Sequence, residues 1–131
     1  MTATTDIPAT ALPLPREVRQ LFFQLGTTAL NNLLGPEAFT LFSDLEAAEP
    51  DQPYAKVGLG MAYMCCSEPV EAARYFQDPI VQQSPMAASA NAILAICHKL
   101  DGNASGFEQA SAQALAGDAA IAPAIELLKQ D

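Results

Sequence analysis

The chain has 131 residues, half of them hydrophobic, with a formal net charge of −9 and a pI near 4.3. That length suits one domain with a real core, and the apolar fraction excludes a chain that is disordered throughout. Six Lys and Arg against fifteen Asp and Glu leave no basic footprint, so neither nucleic acid nor an anionic membrane is an expected partner.

Ala and Leu dominate and β-branched residues are sparse, which favours helices over strands. Residues 1–14 are rich in Thr, Ala and Pro without a period, and a flexible or extended N-terminal arm is expected there. From Pro15 the pattern turns helical: Val18, Leu21, Phe22, Leu25, Ala29 and Leu33 recur at threes and fours. Gly35-Pro36 ends this helix and opens a second, with Phe39, Phe42 and Leu45, to about Ala48. A third helix is expected from Pro53 to Cys66 and a fourth from Pro69, which Asp78-Pro79 disturbs. A fifth covers about Pro85 to Leu100, and Asp101-Gly102-Asn103 ends it. A sixth covers about Ser105 to Ala116, with Ser105 as N-cap and Glu108 completing a capping box. After Gly117-Asp118 a last helix runs to about Lys129. No segment alternates with the period of a strand.

The chain also repeats itself. Leu25, Gly26, Ala38 and Phe42 recur at one constant interval as Leu59, Gly60, Ala72 and Phe76; Pro50 closes the first block, and Pro85 closes the second one position late. These residues resemble the tetratricopeptide (TPR) repeat, a helix–turn–helix unit. Leu59, Gly60 and Tyr63 stand at its Leu-Gly and Tyr positions, and Ala72 and Phe76 at the Ala and aromatic of its second helix. Ala29 replaces the Tyr in the first block, the early Trp is missing from both, and Pro79 stands where a small residue belongs. The resemblance implies an all-α fold of about three hairpins, residues 19–52, 53–86 and 87–117, stacked in a right-handed solenoid. Residues 118–131 would cap it within a single domain of residues 15–131. Gly60, which costs about 1 kcal/mol relative to Ala inside a helix, then has a physical reason: two antiparallel helices cross there too closely for a side chain.

The candidate chemistry is thin. Cys65, Cys66 and Cys97 make an odd number, with the first two adjacent, so no disulfide framework is read and a reducing compartment fits. Cys65, Cys66, Cys97 and His98 could in principle gather around zinc, but adjacent ligand pairs suit one tetrahedral site poorly, and packing is the preferred role. His98 has no nucleophile and orienting acid in any recognisable spacing, and no phosphate-binding or dinucleotide motif is present. No metal, no cofactor and no enzymatic activity are expected. Asp44, Glu46, Glu49 and Asp51 read as a solvated acidic face, with a partner patch as the other reading. No basic n-region precedes an apolar run at the N-terminus and no stretch is long enough to span a membrane, so the cytoplasm is the expected location.

In TPRs the first helices of successive repeats line a concave groove. Counting from residues 19, 53 and 87, the resemblance places Phe23, Thr27, Leu30, Tyr54, Val57, Met61, Met64, Asn91, Ala95 and His98 there. The basic residues with which some TPRs grip a peptide carboxylate are largely missing, and the groove is apolar with Met and aromatic side chains, which adapt to an apolar helix or extended peptide. Size, acidity, repeat number and groove are similar to bacterial type III secretion chaperones of the TPR type. That similarity implies a client-holding chaperone for a translocator or needle subunit; a general TPR scaffold within a larger assembly is the alternative. A homodimer and a heterodimer are both compatible with the sequence.

Overall fold

The computed structural model describes residues 14–130, so the expected arm lies outside the described residues except for Leu14. Among the described residues the chain is all-helical, with no strand. Eight α-helices follow in order: α1 (Arg16–Asn31), α2 (Gly35–Ala48), α3 (Pro53–Cys65), α4 (Pro69–Phe76), α5 (Pro79–Gln82), α6 (Ala87–Leu100), α7 (Ala104–Gly117) and α8 (Ala122–Lys129). A 3₁₀ turn, Ala119–Ile121, leads into α8.

Proline sets several starts. Pro36, Pro53, Pro69, Pro79 and Pro123 each occupy the first or second helical position, where the missing N–H costs nothing. Asp78-Pro79 does more than disturb the fourth helix. It ends α4 after eight residues and starts the four-residue α5, whose Ile80 N–H donates to the Asp78 carboxylate at 2.8 Å. The expected capping box on the sixth helix does not form: α7 begins one position earlier, and Asn103 is the cap, accepting from the Gly106 N–H at 2.9 Å. Asn103 wins because the turn at Gly102 already places its side chain beside that orphan donor.

Three hairpins close in the same way. Three-residue links join α1 to α2, α3 to α4 and α6 to α7. In each, the middle link residue is left-handed: Leu33 (φ 59), Ser67 (φ 60) and Gly102 (φ 74). The next N–H reaches back across the turn to a carbonyl near the end of the preceding helix, Leu34 to Ala29 (2.8 Å), Glu68 to Tyr63 (2.9 Å) and Asn103 to His98 (2.8 Å). These turns follow one another in steps of 34 (67 − 33) and then 35 (102 − 67), the late step that Pro85 marks.

Each hairpin packs on its neighbours: α1 on α2 and α3, α2 on α3, α3 on α4, α4 on α6, α6 on α7. Phe42 and Phe76, which hold equivalent places in the first two hairpins, fill the two core clusters and are almost wholly buried. Phe42 lies against Gly26 and Gly58, and Phe76 against Gly60, so that a Cβ at any of these glycines would overlap a ring. Truncating a buried Phe of this kind to Ala costs about 3–5 kcal/mol. Of the residues that carry the apolar period of α1, Leu21 and Leu25 are 50% and 46% exposed, because Phe22, Gly26 and Ala29 form the face turned to α2 and α3, and Leu33, in the turn beyond it, is 78% exposed.

Candidate functional site

Seven of the ten predicted groove residues lie on α1 and α3, which touch each other. Phe23, Thr27 and Leu30 recur along one side of α1, and Tyr54, Val57, Met61 and Met64 along α3. Phe23 is exposed and the others are half-buried. Leu30 and Tyr54 rest on the cluster around Phe42, whereas Val57, Met61 and Met64 rest on the cluster around Phe76. The Phe23 ring meets Tyr54 edge-on at 5.6 Å and Phe42 at 6.2 Å, which fixes an otherwise exposed aromatic by its neighbours. The Thr27 hydroxyl donates to the Phe23 carbonyl at 2.8 Å, so its polar atom is used by its own helix.

One end of this strip is polar. Glu49 accepts from the Tyr54 hydroxyl and pairs with Arg19 at 3.3 Å, and Arg19 also donates to the Leu14 carbonyl at 3.3 Å. A cavity of about 590 Å³ opens here, lined by Arg16, Arg19, Phe23, Glu49 and Tyr54 among others. Burial, the Glu49 hydrogen bond and the Glu49 charge push the Tyr54 phenol up to about 12. Nearby, Lys56 binds Glu46 at 3.1 Å. The acidic cluster is therefore split: Glu46 and Glu49 tie α2 and its end to α3 and α1, and only Asp44 and Asp51 are exposed. The sequence reading missed this role because the partners Arg19 and Lys56 sit on other helices and meet these acids only once the chain has folded.

The α6 residues need correction. Ala95 is 0% exposed and lines no surface, and Asn91, 4% exposed, is turned to Gln82 of α5 and away from the α1–α3 strip. Asn91 forms a two-way amide pair with Gln82, at 2.8 and 3.2 Å, and His98 is half-buried against α7, beside Gly106. With Gln77, Gln109 and Gln113 these three polar residues line a separate cavity of about 230 Å³. The cause is the extra residue before the third hairpin. A step of 35 in place of 34 turns α6 by one position, and the equivalents of Val57 and Met61 become Ala92 and Ile96, both half-buried.

All three cysteines are free thiols. Cys97 is buried, with its sulfur 3.4 Å from that of Met64, and burial pushes its thiol up to about 11. Burial, then the neighbouring Cys66, also raises the half-buried Cys65 thiol. Neither group is an activated thiolate. Among the described residues no three His, Cys, Asp or Glu side chains gather where a metal could be held, and no helix is long and apolar enough to cross a membrane. No family model matches the chain, and no curated protein matches it.

Proposed function

We propose that this protein is a non-enzymatic, TPR-like binding module that holds an apolar segment of another protein along the α1–α3 strip. The carrying observation is the strip itself. Tyr54, Val57, Met61 and Met64 are packed at their bases against two cores, Phe23 rests edge-on against Phe42 and Tyr54, and all five are open at their outer edges. Burying a side chain of this size contributes roughly 1.5–3 kcal/mol, which exceeds the at most about 1 kcal/mol of an exposed ion pair. Two Met side chains let the surface adapt to its ligand. The repeat reading is supported by the left-handed hairpin turns at Leu33, Ser67 and Gly102 and by the paired crossings Gly26–Phe42 and Gly60–Phe76. In this reading the hairpins stack as a right-handed solenoid with α8 as its cap, and the biological role is that of a cytoplasmic secretion chaperone for an aggregation-prone subunit. Comparative capture from the native host, with wild type and with Met61→Glu, tests it: a partner retained by the first at low and high salt and lost by the second supports it. Equal capture by both contradicts it.

A further inference from the structure

Three rings fill the crevice between the first two hairpins. Tyr63 of α3 stacks on Tyr75 of α4 with ring centroids 5.6 Å apart, and Phe39 of α2 meets Tyr63 edge-on at 5.3 Å. The Lys56–Glu46 pair spans the same junction. One repeat later these groups are replaced. A step of 34 carries Phe39 onto Ala73, and a step of 35 carries Tyr63 onto His98 and Tyr75 onto Ala110. Lys56 falls on Asn91, which pairs with Gln82. With the rings absent, the crevice holds the cavity of about 230 Å³, and His98 and Ala110 both line it.

We propose that this cavity takes a tyrosine side chain of a partner protein, whose ring stands where Tyr75 stands in the preceding crevice and rests against His98. Apart from His98, no ionisable side chain lines the cavity, so a phosphate, carboxylate or ammonium group finds no opposite charge there. Its other polar groups are amides, which both donate and accept. Asn91 is 4% exposed, yet its pair with Gln82 leaves one N–H and one lone pair unused. The exposed Gln109 and Gln113 side chains make no hydrogen bond among the described residues and can close on the ligand. A phenol hydroxyl donates and accepts as these amides do, while its ring gains apolar contact from Leu94 and Ala110. No Lys or Arg stands at the cavity to meet a phosphate, which favours tyrosine over a nucleotide. The cavity shares no residue with the α1–α3 strip, so either site can work without the other.

Titration of the full chain with N-acetyl-L-tyrosinamide, followed by amide NMR, tests this. Saturable shifts are expected at His98, Gly106, Ala110 and the Asn91 side-chain amide. N-acetyl-L-phenylalaninamide, which lacks the hydroxyl, should bind at least about fivefold more weakly, and N-acetyl-L-leucinamide should give no saturable shift. Ala110→Tyr rebuilds the ring within the chain and should abolish binding, whereas Met61→Glu should bind as wild type does. Should Ala110→Tyr lose its helical circular dichroism, the double variant Gln109→Ala, Gln113→Ala, changed only at exposed positions, decides: it is expected to bind at least about fivefold more weakly. The absence of a saturable shift up to about 50 mM probe overturns the proposal. So do equal binding of the three amides, tighter binding of adenosine than of the tyrosine amide, or undiminished binding by a folded Ala110→Tyr protein or by the double variant.

Discussion

Phe76 occupies the space that a side chain on Gly60 would need: a Cβ built there lies 2.6 Å from the ring's Cζ. The ring is fully buried and cannot swing aside. Gly60→Ala gains about 1 kcal/mol of helix propensity but is expected to lose stability overall, by about 1–3 kcal/mol in urea titration. Adding Phe76→Leu should recover part of that loss, so the two changes together cost less than their sum. Additive effects would mean that the pair does not share one space.

Ser67 holds the left-handed turn that Gly102 holds in the third hairpin, with φ values of 60° and 74°. Relieving the strained side chain outweighs the added freedom of the unfolded chain, so Ser67→Gly should raise stability by about 0.5–1 kcal/mol. A lower melting temperature would contradict the turn geometry.

Ser111 is buried in α7, and its hydroxyl has no hydrogen-bond partner among the described residues. Removing an unsatisfied buried hydroxyl while improving helix propensity should stabilise the fold, so Ser111→Ala is expected to gain about 1 kcal/mol in thermal unfolding. A comparable loss would show that the hydroxyl is used.

The Tyr54 phenol titrates near 12 in the fold, because of burial and Glu49, against about 10 unfolded. A group whose folded pKa is raised contributes stability in full below the unfolded pKa and loses it as pH rises through the folded one. The advantage of wild type over Tyr54→Phe should therefore be constant up to about pH 9 and shrink between about pH 10 and 12. Urea unfolding across that range reads it, and a gap that does not change with pH contradicts the assignment.

The hairpins are legible in the sequence because proline and glycine mark their ends, and the Leu-Gly and Ala-Phe pairs mark the period of the repeat. The register of α6 is not. A constant period puts Asn91 and Ala95 on the groove, and the extra residue before them rotates the helix by one position. The fate of Leu21 and Leu25 is illegible for a different reason. Periodicity shows that a stripe is apolar, not whether this chain covers it. Arg19–Glu49 and Asn91–Gln82 depend on which helices become neighbours, which local pattern does not encode.

The most direct test of the central claim is the affinity of the captured partner for wild type and for Met61→Glu, measured by calorimetry at low and high salt. Met61 lies midway along the α3 part of the strip and is half-buried, so a carboxylate there spoils the apolar surface while the core beneath it stays. Wild type is expected to bind in a way that survives about 500 mM salt, and Met61→Glu to bind at least tenfold more weakly with unchanged helicity. Tight binding by a folded Met61→Glu protein, or a wild-type complex that dissociates in high salt, would contradict it.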